Sequence, residues 1–190
     1  VHDGQGNLWP TVLQPIPIGL WGGVPFDDGN FRYSIFTIHP EARSAPMNPG
    51  GKRTDTVIFG DFAQFIGYDL GTLNWVAGER IIVTLYWRPT DQAPPQQDYS
   101  IYIHLLTPEG DKIAQWDGVP LQNAYPMRFW RPGESLLDYW ILRMPEKVTQ
   151  GSAHLRIGIY DPVTGDRLPV TVNGEVLGDG LTVDTRIKVW

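Results

Sequence analysis

Two segments of this chain read as copies of one device. Trp75-Val76-Ala77-Gly78-Glu79 leads into Arg80-Ile81-Ile82-Val83-Thr84-Leu85-Tyr86-Trp87-Arg88, and Trp130-Arg131-Pro132-Gly133-Glu134 leads into Ser135-Leu136-Leu137-Asp138-Tyr139-Trp140-Ile141-Leu142-Arg143. Each is a tryptophan, a glycine turn, an acid, and a run of β-branched and aromatic residues closed by arginine. Such runs suit a pleated, half-buried strand, and glycine supplies the tight turn. The tryptophans lie about 55 residues apart, roughly three strands with their loops. A turn-and-strand unit used twice predicts an all-β domain of two facing sheets entered in similar ways.

The rest of the chain agrees. Its 21 Gly and 17 Pro are spread along the sequence, which fits many short strands joined by turns. No segment carries a convincing amphipathic helical pattern. Strands are predicted at 56–70 (bent near Gly60 and Gly67), 80–88, 99–106, 112–117, 135–143, 153–160 and 181–189. Turns are predicted at Pro94-Pro95, Pro108-Glu109-Gly110-Asp111 and 161–166, with a small hairpin about Asn173-Gly174. Ahead of these, prolines at 10, 15, 17 and 25 interrupt the apolar stretch too often for a central strand. Residues 31–39 alternate well enough for one strand, and 40–53 are turn-rich. The expected organisation is an N-terminal arm with an edge strand, residues 1–54, packed on a β-sandwich, residues 55–190. The sandwich is of jelly-roll or Greek-key type, with seven to nine strands, and resembles carbohydrate-binding modules in class.

A 190-residue chain is long enough for one substantial core. The net charge of −6 and the lack of any basic run argue against nucleic acid or an anionic membrane as partner. No apolar run reaches the length of a membrane span, so no direct membrane insertion is expected. Cysteine is absent, which removes disulfides, thiolate metal sites and a cysteine nucleophile.

Alternation divides each strand into two faces. By hydrophobicity the core sets are Ile81, Val83, Leu85, Trp87; Tyr99, Ile101, Ile103, Leu105; Leu137, Tyr139, Ile141; and Leu155, Ile157, Ile159. The opposite sets hold Tyr86, Arg88, Tyr102, His104, Asp138, Trp140, Arg156 and Tyr160. Aromatic rings interleaved with charges suit a sugar-binding surface, where rings stack on C–H faces and charged groups hydrogen-bond hydroxyls. They also suit cross-strand pairs that merely stabilise an exposed sheet, or a face covered by the arm. The candidate ligand-binding residues are Tyr86, Tyr102, His104, Asp138, Trp140 and Tyr160.

Other constellations point to structure. His2, His39, His104 and His154 show no metal-ligand spacing. The oxygen-rich turns at 27–30 and 161–166 lack the complete calcium-loop pattern. Glu79, Glu134 and Asp138 are acid–base candidates by residue type alone, and no serine-nucleophile motif occurs. Arg167 is expected to lock its turn by pairing with Asp161 or Asp166. No catalytic residue, metal or cofactor is expected.

Residues 59–169 resemble a β-sandwich domain attached to bacterial membrane glycosyltransferases of the dolichyl-phosphate-mannose mannosyltransferase type. The resemblance is carried by Phe59-Gly60, Gly78-Glu79 with Leu85-Tyr86-Trp87, Asp98-Tyr99 with His104-Leu105-Leu106, Gln115-Trp116-Asp117 with Pro120, Trp130-x-Pro132-Gly133-Glu134, Asp138, and Gly158-Ile159-Tyr160-Asp161 with Gly165-Asp166-Arg167-Leu168-Pro169. It implies a location outside the cytoplasm, with any anchor beyond these residues, and an association with glycan handling. The implied partners are a polysaccharide or an envelope protein. Three functions follow in order: a non-catalytic glycan-binding module, a structural spacer or interaction domain of the cell envelope, and a glycoside hydrolase or lyase.

Overall fold

The structure, a computed structural model, describes residues 47–190 and a short antiparallel pair, β1 (Val24–Pro25) and β2 (Phe31–Arg32). The expected arm and its packing otherwise lie outside the described residues, as does the acidic turn at 27–30. The main body comprises β3 (Gly51–Phe59), β4 (Ala63–Leu70), β5 (Asn74–Trp75), β6 (Arg80–Pro89), β7 (Ser100–Leu106), β8 (Lys112–Gly118), β9 (Leu136–Arg143), β10 (Gly151–Tyr160), β11 (Val170–Val172), β12 (Glu175–Gly178) and β13 (Leu181–Val189). One helical turn, α1 (Pro120–Asn123), and a 3-10 turn at Met127–Phe129 lie between β8 and β9.

The strands form two packed sheets, ordered β5-β13-β10-β7-β8 and β12-β11-β3-β4-β6-β9. The fold is therefore the expected β-sandwich. Neighbouring strands are antiparallel except β5 beside β13. Val57, Phe59, Phe65, Ile81, Val83, Leu85 and Trp87 of one sheet meet Ile101, Ile103, Leu105, Leu155, Ile157, Ile159 and Ile187 of the other in a single core. Each such side chain contributes about 1.5–3 kcal/mol through burial, so alternation in four or five strands suffices to hold the layers together.

The twin device is real but differently placed. Trp75 and Trp130 are both fully buried. Gly78 and Gly133 both take left-handed backbone, φ 77° and 81°. Both turns close alike: the Glu79 N–H donates to the Val76 carbonyl (3.1 Å), and the Glu134 N–H to the Arg131 carbonyl (3.2 Å). The strands that follow, β6 and β9, are neighbours in one sheet, paired from Arg80↔Arg143 to Trp87↔Leu136. The chain between them builds β7 and β8 in the opposite sheet and returns, so the second copy docks on the first rather than facing it.

Three segments depart from the sequence reading. The expected bent strand at 56–70 is a hairpin of β3 and β4, reversed at Gly60, whose φ is 60°. β3 begins at Gly51, ahead of the expected sandwich boundary. The third departure is the facing of β9. Directly opposed residues of an antiparallel pair share a face. Asp138 opposes Leu85 and Trp140 opposes Val83, so both point into the core. Leu137, Tyr139 and Ile141 point outward, and Ile141 is 40% exposed. Hydrophobicity misled because it charged the inner set for Asp138, whereas Leu136, Trp140 and Leu142 bury more apolar surface. The hairpin at Asn173-Gly174 forms as expected, with φ 52° and 87°.

Asp138 is tolerated inside because both oxygens are hydrogen-bonded. The Leu121 N–H donates to Oδ1 (2.6 Å) and the Trp140 indole N–H to Oδ2 (2.7 Å). The carboxylate thus pins α1 to β9. Burial nevertheless pushes its pKa from 3.8 up to about 6, against the lowering pull of those donors. The folded state therefore binds a proton that the unfolded chain does not between those values. Its stability rises as pH falls from about 6 toward 4, and two pKa units correspond to roughly 3 kcal/mol. Asp138→Asn should abolish this increment: urea denaturation at pH 4.5 and 7 should show a wild-type gain at the lower pH that the variant lacks. Equal pH dependence in both proteins would contradict the titration of Asp138.

Candidate functional site

The six sequence-predicted residues divide between the sheets. Asp138 and Trp140 lie in the core of the six-stranded sheet, so neither is open to a ligand on a sheet surface. Tyr86 is on the outer side of β6, where its hydroxyl donates to Asp69 Oδ2 (2.6 Å). Burial, and then Asp69, push its pKa up to about 12. Tyr102, His104 and Tyr160 come together on the outer face of the five-stranded sheet. The ring centroids of Tyr102 and His104 are 4.5 Å apart, and those of Tyr102 and Tyr160 are 6.4 Å apart.

Strand register sets what surrounds them. Asp117, Tyr102 and Gly158 form one rung across β8, β7 and β10, and Gln115, His104, Arg156 and Thr182 form the next, reaching β13. Gly158 is needed here because a Cβ in its place would come within 2.2 Å of the Tyr102 ring. The ring consequently lies down across the sheet, and its hydroxyl donates to the Asp179 carbonyl (2.7 Å). The Arg167 guanidinium covers it at 4.6 Å. Asp179 also accepts from Arg156 (2.8 Å) and Arg167 (2.9 Å). Arg167 therefore reaches Asp179 rather than the expected Asp161 or Asp166. The 161–166 turn holds itself instead, its Asp161 Oδ1 accepting from the Val163 N–H (2.7 Å).

Tyr102 is only 2% exposed, so it forms the floor of the site. Half-buried Tyr160 and Arg156, with exposed Gln115, Asp117, Arg167 and Asp179, form what a ligand meets. The Gln115 amide donates to Asp117 Oδ2 (2.9 Å) and is contacted by Lys112, so the rim is already hydrogen-bonded and ordered. His104 is pulled below its ordinary pKa by burial and then by the nearby cations Lys112 and Arg167. Both causes favour the neutral imidazole, which keeps one nitrogen able to accept.

Sequence reasoning found the rings and missed much of the rim. Gln115 and Asp117 were detectable, since they alternate with the inward Trp116. Asp179 carried no signal, because only the β11–β12 hairpin returns it to Arg167. Among the described residues no cluster of three or more His, Asp or Glu is placed to hold a metal ion, and no helix is long and apolar enough to cross a membrane. Glu134 is buried under the Tyr125 hydroxyl (3.1 Å) and the Arg131 N–H (3.1 Å).

No known protein family matches the sequence, and no curated protein does. Solved structures align to this chain at low identity and with low TM-scores. The alkylpurine DNA glycosylase AlkC of Pseudomonas fluorescens, bound to DNA containing an abasic site analog, is 16% identical with a TM-score of 0.38, covering 67% of this chain and 30% of that one. The C-terminal domain of wzt is 12% identical with a TM-score of 0.45, covering 75% and 82%. The CARDB domain of the PF1109 protein from Pyrococcus furiosus, in complex with di-metal ions, is 9% identical with a TM-score of 0.36, covering 76% and 100%.

Gly158→Ala should lift Tyr102 off the sheet at a cost of about 1–3 kcal/mol, the range for overpacking a filled site, readable as a fall in thermal midpoint. An NMR titration of His104 should give a midpoint below 6.5. A midpoint at or above that value would mean that its ring is neither desolvated nor held among cations.

Proposed function

We propose that this chain is a non-catalytic glycan-binding module that works outside the cytoplasm beside glycan-processing membrane machinery. The observation that carries the reading is the outer face of the five-stranded sheet. There Tyr160 and the Tyr102–His104 pair lie among Arg156, Arg167, Asp179, Asp117 and Gln115. A ring face supplies an apolar, electron-rich platform for sugar C–H groups. The surrounding acids, amide and guanidiniums offer donors and acceptors at the spacing of neighbouring strands, about 4.8 Å. The location outside the cytoplasm is supported by the resemblance of residues 59–169 alone.

A second reading, an interaction domain of the cell envelope, is favoured by a different face. Ile82 and Ile141 are directly paired across β6 and the edge strand β9, 45% and 40% exposed. Paired exposed isoleucines beside the last strand of a sheet suit a protein partner.

A glycan-array screen of the 190-residue chain separates the two. The first reading expects binding that Tyr160→Ala weakens by on the order of tenfold, taking the roughly 1–3 kcal/mol per stacked base as analogue. Silence across a broad array, together with self-association in the ultracentrifuge that Ile141→Glu abolishes, would replace it with the second.

A further inference from the structure

We propose that a second site, at the loop end of the sandwich, binds the carboxylated ring of an acidic saccharide. The 119–135 connection and the 90–99 connection meet there around an open hollow of about 450 Å³, lined by Pro94, Tyr125, Arg128, Phe129, Trp130 and Arg131. Its size falls within the range of small-molecule sites, about 300–1,000 Å³. This site shares with the sheet face only its ligand class, and none of its residues.

The walls are built before any ligand arrives. Trp130 is fully buried, its ring 6.4 Å from Phe62 and 6.3 Å from Trp87. Its N–H closes the 3-10 turn on the Met127 carbonyl (3.0 Å), and the Phe129 N–H closes on Pro126 (2.9 Å). The Tyr125 hydroxyl donates to the Phe129 carbonyl (2.7 Å). These bonds hold Phe129 outward, 51% exposed.

Charge selects the occupant. The chain as a whole carries −6, yet two guanidiniums, Arg128 and Arg131, line this hollow. Arg128 lies 4.9 Å over the Phe129 ring and pairs with Asp98. The other nearby acid, Glu134, is 4% exposed and accepts from the Arg131 N–H (3.1 Å). The exposed Arg131 guanidinium has no ion pair among the described residues. Its planar fork matches a carboxylate in two parallel hydrogen bonds. A hollow lined by the Phe129 ring and by a guanidinium with no ion pair among the described residues fits a sugar ring bearing a carboxylate better than a bare phosphate, which would fill little of it.

The test uses calorimetric titration of the full chain with a galacturonate trimer, a neutral glucose trimer and inorganic phosphate. The acidic trimer should bind, more weakly as salt rises. Arg131→Gln should weaken it about tenfold, as loss of a charge-assisted contact does, and Phe129→Ala by about the same factor, as loss of a stacking ring does. Arg128 is kept in every variant, since its removal would strand Asp98, whose Oδ1 is already buried without a hydrogen bond. The proposal is overturned if the trimer does not bind, if either variant binds as wild type, or if phosphate binds as tightly as the trimer. None of those results touches array binding lost in Tyr160→Ala, so the sheet-face reading stands or falls separately.

Discussion

Trp87 is the side chain on which this sandwich turns. It is fully buried and touches Phe59 edge-on at 5.3 Å, Phe65 at 5.1 Å and Trp130 at 6.3 Å. Trp130 passes the contact to Phe62, which stacks on Tyr99 at 5.5 Å. One line of rings thus joins β3, β4, β6, the long loop before β9 and the residue that leads into β7. Each pair adds about 0.5–1.5 kcal/mol beyond its buried area. The geometry matters more than the sum. The loop that displays Phe129 and Arg131 is anchored through Trp130, and the strand that carries Tyr102 and His104 starts beside Tyr99.

Polar groups placed inside this apolar layer act as pins. Asp138 holds α1 against β9 through the Leu121 N–H and orients the Trp140 indole. Tyr68 of β4 donates to Asp184 of β13 (2.9 Å), tying one sheet to the other across 116 residues of chain. A buried carboxylate is tolerated only when its oxygens find donors. Here the donors are backbone and aromatic N–H groups or a hydroxyl, and for Asp184 the exposed Arg186 as well (2.6 Å). At the surface, Arg156 and Arg167 lie at one candidate site and Arg128 and Arg131 at the other, on an otherwise acidic protein.

The all-β class, the turns and most strand faces were legible because they depend on local chemistry. Ile81, Val83 and Leu85 alternate, Gly78 and Gly133 permit left-handed turns, and Asn173-Gly174 makes a hairpin without help from distant residues. The rings of the sheet face were legible by the same alternation. The facing of β9 was not, because Asp138 looks like a surface residue until its donors are known, and Leu121 is 17 residues away. Nor was the rim of the sheet-face site, since Arg167 and Asp179 meet only after β11 and β12 fold back.

The sequence by itself determined that the chain makes short strands and tight turns, and which side chains alternate along them. Those properties follow from backbone preference and the two-residue period of a strand. Only the tertiary structure decided which sheet each strand joins, which of two alternating sets faces inward, and which charges meet. Those outcomes depend on pairing between residues far apart in the chain, and a local pattern holds no information about the partner that satisfies it.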